Sequence, residues 1–199
     1  MNKILIAIPT FESILPETFK SVYGLKVPAN CSCQFDFVKG YDCARARNEI
    51  AKEAIQYEFD YVLMVDSDMI LPNNTLVSMF RDPKDICLGV YPRKNTSTGQ
   101  TECFKANQKD YIDVYTYDEL DQFQRGYVEI KGGGFVCTLM QTDVFHNLDY
   151  PYFKYVVYGS GDVLSEDNYF CGSAIAAGYK VYMDTNVRCG HSIRGFQWR

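Results

Sequence analysis

The chain has 199 residues, with 20 Lys+Arg against 25 Asp+Glu and a net charge of −5; 47 % of its residues are hydrophobic and 23 % charged. That is enough chain for one domain with one core, and too apolar for a disordered segment. The acidic balance excludes a general nucleic-acid binder, and no apolar run approaches the roughly 18 residues of a membrane span.

The first 90 residues alternate strand and helix. KILIAIP (3–9) is a continuous apolar run, which predicts a strand covered on both faces. Its apolar stretch ends at Pro9 and Glu12, short of the roughly 7–15 residues of a signal-peptide core, so the expected location is cytoplasmic. A helix is predicted over 14–24 and a strand over 33–40. In CARARNEIAKEAIQYE (43–58), Ile50, Ala51, Ala54 and Ile55 form one helical stripe that Asp42 can cap. DYVLMVD (60–66) predicts a third buried strand, 73–80 a short helix after Pro72, and DICLGVYP (85–92) a fourth strand. This alternation implies a parallel α/β sheet.

The pattern then changes. Residues 93–131 are polar and Tyr-rich and read as an extended insertion on one face. GGGFVCTLMQTDVFHNL (132–148) predicts a strand running into a helix, SEDNYFCGSAIAAG (165–178) a capped helix ending at Gly178, and YKVYMDT (179–185) a last strand. The whole reads as one α/β domain, a mainly parallel central sheet with helices on both faces. The eight cysteines include no C-x-x-C. Their even number leaves a disulfide framework open, but Cys87 and Cys137 fall inside apolar runs and predict reduced thiols.

The most informative string is YVLMVDSDMILP (61–72). Asp66 and Asp68 lie at the carboxyl end of a buried strand, where open α/β sheets bind ligands. Two carboxylates on a turn can hold a hard cation whose other ligands come from a diphosphate; they can equally shape the turn. His191, one of only two His in the chain, offers an imidazole, a borderline donor. A His after a Gly can also be an ordinary loop residue. Glu166 and Asp167 follow Ser165 at a predicted helix start, where acids are favoured by the helix dipole; a carboxylate there can also serve as a general base.

Taken together, these strings resemble the GT-A-fold glycosyltransferases of the large inverting family (family 2-like), which use nucleotide-sugar donors. The likeness covers nearly the whole chain, in order. IAIPTFE (6–12), with Pro9, Thr10 and Glu12, resembles the first strand and the loop under the nucleotide. ARARNEIAKEA (44–54), with Arg45, Arg47 and Asn48, resembles the family's Ala-Arg-Asn helix start. VDSD (65–68) resembles its metal-binding motif, with Asp66 and Ser67 also toward the donor, and GGGF (132–135) its glycine turn near the sugar, with Gly132, Gly133 and Gly134. SEDNYF (165–170) resembles its Glu-Asp motif and CGH (189–191) its late metal-ligand His.

The resemblance implies a metal-dependent inverting transfer of a sugar to a hydroxyl. Asp167 is then the base, with Glu166 the second choice and more an acceptor contact. Asp66, Asp68 and His191 are the metal ligands, for Mn²⁺ or Mg²⁺. The partners are a UDP- or GDP-sugar and a glycan, lipid-linked or protein acceptor; no nucleic acid is implied. Residues 1–92 form the nucleotide and metal half and 132–199 the acceptor half, while 93–131 matches none of the family's motifs. Two alternatives remain: a sugar-nucleotide nucleotidyltransferase, disfavoured because the first loop, IPTFES, has no Gly, and a non-catalytic binder on the same scaffold. No G-x-G-x-x-G follows the first strand, which disfavours a Rossmann dehydrogenase. Trp198 lies in a tail that could fold over the donor or simply pack on the surface.

Overall fold

The computed structural model describes residues 1–93, 99–106, 113–193 and 196–197. Trp198 and parts of the 93–131 block lie outside the described residues. In chain order the elements are β1 (Asn2–Thr10), α1 (Pro16–Tyr23), β2 (Cys31–Lys39), α2 (Cys43–Gln56), β3 (Tyr61–Val65), β4 (Met69–Ile70), α3 (Thr75–Met79) and β5 (Ile86–Val90). Then come β6 (Gln100–Lys105), β7 (Val114–Thr116), α4 (Tyr117–Gln122), β8 (Tyr127–Gly133), β9 (Cys137–Gln141) and a 3-10 helix (Thr142–Asn147). The last are β10 (Val156–Val157), β11 (Val163–Leu164), α5 (Glu166–Ala176), β12 (Val181–Arg188), β13 (Gly190–Ile193) and β14 (Phe196–Gln197).

Among the described residues nine strands make one sheet in the order β2-β1-β3-β9-β5-β12-β8-β6-β7. Alternate residues of the buried strands enter two different cores. Leu5 and Ala7 of β1, Val62 and Met64 of β3, and Ile86 and Leu88 of β5 pack with Ile50, Ala51 and Ala54 of α2 and Phe170 and Ala174 of α5. Ile4, Ile6, Ile8, Leu63, Val65 and Cys87 point the other way, against Val22 of α1 and Leu76 and Met79 of α3. This is why the strands read as unbroken apolar runs: both faces are covered. Asp42 caps α2 as expected, its carboxylate accepting from the Arg45 amide at 3.0 Å.

The parallel character predicted for the sheet holds where β1 joins β2 and β3, and where β5 joins β12. β9 pairs antiparallel with both β3 and β5, and β8 antiparallel with β12 and β6, so the sheet as a whole is mixed. Part of the cause lies in the block read as an insertion; β9, at Cys137–Gln141, lies beyond it. The block's described parts supply β6, β7 and most of β8, which extend one edge of the sheet rather than standing apart from it. All eight cysteines are free, and five of them are buried. Among the described residues no helix is long and apolar enough to cross a membrane.

Candidate active site

The Asp66–Ser67–Asp68 turn links β3 to β4 at the carboxyl end of β3, and backbone bonds pin it from three sides. The Asp66 amide donates to the Val136 carbonyl (3.0 Å) and the Ser192 amide to the Asp68 carbonyl (2.9 Å). The Ser67 carbonyl accepts from the Leu15 amide and from Thr18 Oγ1, both at 3.1 Å, which ties α1 to the turn. Ser67 therefore acts here through its backbone. The β1–β3 register, Ala7 opposite Met64, brings Pro9 level with Asp66. Thr10 turns its hydroxyl to the Ser13 carbonyl (2.6 Å), and Glu12 is exposed in the loop beyond.

β4 also pairs with β13, His191 opposite Met69. That register sets His191 Nε2 3.1 Å from Asp68 Oδ2, joining residues 123 apart in the chain. The ring is buried, and among the described residues its Nδ1 has no hydrogen-bond partner. The edge of the ring meets Tyr91, with centroids 5.9 Å apart at 72°. Among the described residues no group of three or more His, Cys, Asp or Glu forms a closed metal cage. Asp68 and His191 thus make an open pair of donors, one hard and one borderline. Such a pair fits a divalent cation that takes its remaining ligands from a diphosphate and water.

Asp66 faces elsewhere. Its Oδ1 lies 3.0 Å from Nη2 of Arg47, whose Nη1 pairs with Glu166 Oε1. Arg47 is 2 % exposed, and its guanidinium lies 5.8 Å from the Phe135 ring centroid. Burial opposes its charge, but Asp66, Glu166 and Asp167 outweigh burial and hold the guanidinium above its ordinary value. Burial pushes the Asp66 carboxyl up, with Asp68 and Asp167 adding to the effect and Arg47 opposing it. Glu166 is pushed up by burial and by Asp167, against Arg47 and a hydrogen bond from the Tyr155 hydroxyl. Arg47 therefore bridges the two acidic motifs as a buried brace.

Asp167 sits one residue into α5. Its Oδ1 accepts from the Ser165 hydroxyl and from the Asn168 amide, the latter at 2.7 Å. Ser165 is the N-cap residue, yet its hydroxyl goes to Asp167 rather than to the helix backbone. Asp167 Oδ2 faces Gly134, 3.5 Å from where a Cβ on that glycine would lie. The same Cβ would fall 2.0 Å from the Tyr91 hydroxyl oxygen, so any side chain here displaces Tyr91. Gly133 is equally tight against the Glu102 carbonyl, at 2.6 Å. Gly132 lies in β8 opposite Phe104.

The other two helix residues stand apart from the Asp68–His191 pair. Asn48 is buried, and its amide brackets the backbone of Phe153, donating to the carbonyl at 2.7 Å and accepting from the amide at 3.2 Å. Arg45 is exposed and stacks on Tyr41, 4.3 Å from its centroid.

Two residues at the site escaped sequence reasoning. Tyr91 follows β5 and touches both His191 and the Gly134 turn; its place at a strand's carboxyl end was the available signal. Glu102 of β6 pairs with Arg93 at 3.1 Å. Burial pushes its carboxyl up, Arg93 and His191 oppose, and Asp167 adds, so it belongs to the same acidic field. Nothing in its local sequence marks it.

No protein-family model matches the chain, and no curated protein matches its sequence. Its fold does have solved counterparts. A197 from STIV superposes with a TM-score of 0.63 at 17 % identity, over 97 % of this chain and 86 % of that one. GalNAc-T7, solved with UDP, GalNAc and Mn²⁺, gives 0.62 at 12 % identity over 99 % of this chain, which spans only 45 % of that one. The inositol-1-phosphate CTP transferase from T. maritima overlaps more loosely, with a TM-score of 0.47 at 13 % identity over 94 % of this chain and 88 % of that one. The chain has a GT-A-like fold: one mixed α/β domain on a large central sheet.

Proposed function

We propose that this protein is a metal-dependent inverting glycosyltransferase that moves a sugar from a UDP- or GDP-linked donor to a hydroxyl acceptor. The observation that carries the reading is the meeting of Asp68 and His191, 3.1 Å apart, in an acidic site that also holds Asp167. Asp68 and His191 would hold Mn²⁺ or Mg²⁺, which when bound supplies positive charge to the leaving diphosphate. Pro9, Thr10 and the Asp66–Ser67 backbone line the donor side. Gly133 and Gly134, packed against the Glu102 carbonyl and the Tyr91 hydroxyl, let the backbone of this turn sit close beside the sugar's side of the site.

Asp167 is the base. Its Oδ1 is occupied by Ser165 and Asn168, which fixes the carboxylate's orientation and leaves Oδ2 to take the acceptor proton. Inversion needs one base and no covalent intermediate. Glu166, tied to Arg47, is a positioning residue. The glycine-free first loop favours glycosyl over nucleotidyl transfer.

A thermal-shift panel of UDP-, GDP-, CMP- and dTDP-sugars, with and without Mn²⁺, tests the reading. A ligand at 100 times its Kd adds roughly 2.7 kcal/mol. The expected result is a Mn²⁺-dependent rise with a UDP- or GDP-sugar that His191→Ala abolishes. No shift with any donor overturns the proposal.

A further inference from the structure

Next to Glu166 a second cleft, of about 610 Å³, runs along α2. Positions 42, 45, 49 and 52 line it from one face of the helix, as their spacing of three and four requires. The opposite wall is the segment 150–155, held to α2 by the paired hydrogen bonds between Asn48 and Phe153. Three cations lie along these walls, each over an aromatic ring: Arg45 on Tyr41 at 4.3 Å, Lys52 on Tyr150 at 4.8 Å and Lys154 on Tyr169 at 4.5 Å. Two carboxylates share the cleft. Glu49 pairs with Lys52 at 3.0 Å, and Asp42 is turned to the Arg45 amide. Among the described residues Arg45 and Lys154 form no ion pair, so the cleft carries a positive excess on an acidic protein. Tyr155 lines it too and donates its hydroxyl hydrogen bond to Glu166, so one end reaches the start of α5.

We propose that this cleft is the acceptor subsite and that the acceptor is a saccharide carrying a phosphate. The proposal rests on the transferase reading of the neighbouring site. That site turns Asp68 and Asp167 toward the reacting groups, which disfavours an acceptor's phosphate there. A phosphate monoester carries nearly two negative charges at neutral pH. Arg45, Lys52 and Lys154 outnumber Asp42 and Glu49 and supply the countercharge, while Tyr150 and Tyr155 of the wall offer flat faces to the sugar. The hydroxyl to be glycosylated then lies at the Tyr155 end, toward Asp167. The phosphate can belong to a soluble sugar phosphate, a monoester, or to a lipid-linked sugar, where it is a diester of lower charge; both present anionic phosphate oxygens to the cleft.

The test uses the full chain with Mn²⁺ and UDP or GDP present. Saturation-transfer NMR compares a panel of hexose 1- and 6-phosphates with the parent hexoses. Co-sedimentation compares phosphatidylglycerol-containing vesicles with pure phosphatidylcholine. Both are repeated on Lys52→Gln/Lys154→Gln. The expected result is a preference of about tenfold for phosphate over the neutral hexose, lost in the double variant while its nucleotide-dependent thermal shift is retained. Binding to the anionic vesicles alone, lost in the same variant, assigns the phosphate to a lipid. Equal binding of phosphates and hexoses, no binding of either kind of probe, or a preference that survives the double substitution overturns the proposal. A donor shift without a phosphate preference overturns the acceptor assignment only; absence of the donor shift removes the transferase reading with it.

Discussion

Each of the two acidic motifs divides its acids between two regions of the site. Asp66 and Glu166 turn inward to one buried guanidinium, whereas Asp68 turns to His191 and Asp167 keeps an oxygen toward the Gly134 turn. The inner pair is held by one guanidinium; the outer pair faces the rim. Carboxylates one or two residues apart thus acquire different chemistry from burial and partners alone. The difference teaches that adjacent acids can be divided between bracing a site and facing its opening.

Four measurements break or sharpen that contrast. The largest effect is expected inside. Arg47→Met leaves two carboxylates without their cation and should cost about 3–5 kcal/mol in denaturant unfolding. Unchanged stability would mean that the inner acids need no brace. At the rim, Asp167→Asn keeps shape and capping but loses the basic oxygen. Turnover should fall about 100-fold or more, with unfolding free energy within about 1 kcal/mol of wild type. A variant that melts early yet transfers normally would move Asp167 to the structural side.

Between the regions, Gly134→Ala sets a methyl 2.0 Å from the Tyr91 hydroxyl and should cost about 1–3 kcal/mol. Adding Tyr91→Phe removes that oxygen and should restore part of the loss. The smallest effect is expected at Glu53, where burial and a hydrogen bond with Asp36 raise the carboxyl from 4.5 to about 7 with no arginine between them. A raised folded-state value means a contribution that is full below 4.5 and lost as pH climbs through 7. Unfolding midpoints should therefore decline over that window, and Glu53→Gln should flatten this part of the decline. Glu53→Gln with an unaltered pH profile would show the carboxyl to be solvated.

The first half of the fold was legible because its strands are buried on both faces and its main helix carries a clean stripe. Ile4 to Ile8, Ile50 to Ala54 and Val62 to Val65 announce themselves locally. Asp66, Asp68, Asp167 and His191 were legible by motif order. The rest depends on pairings between distant residues. Arg47 reads as a surface cation at a helix start until Glu166, 119 residues away, closes over it. β6 to β8 are only partly buried, so their alternation is weak, and Glu102 sits among residues without period. The antiparallel entry of β9 between β3 and β5 has no local signature either, since an apolar run does not state its direction.

β13 pairs with the two-residue β4 and with β14, outside the nine-stranded sheet. His191 therefore depends on a short ribbon that can part from β4 without disturbing the main core. Such an opening is a sub-global event with its own free energy, below that of global unfolding. The Ser192 amide, bonded to the Asp68 carbonyl at 2.9 Å, reports it directly through its rate of deuterium uptake. A cation bridging Asp68 and His191 would act as a latch on that ribbon, slowing exchange at this amide while leaving amides of β1 and β3 unaffected.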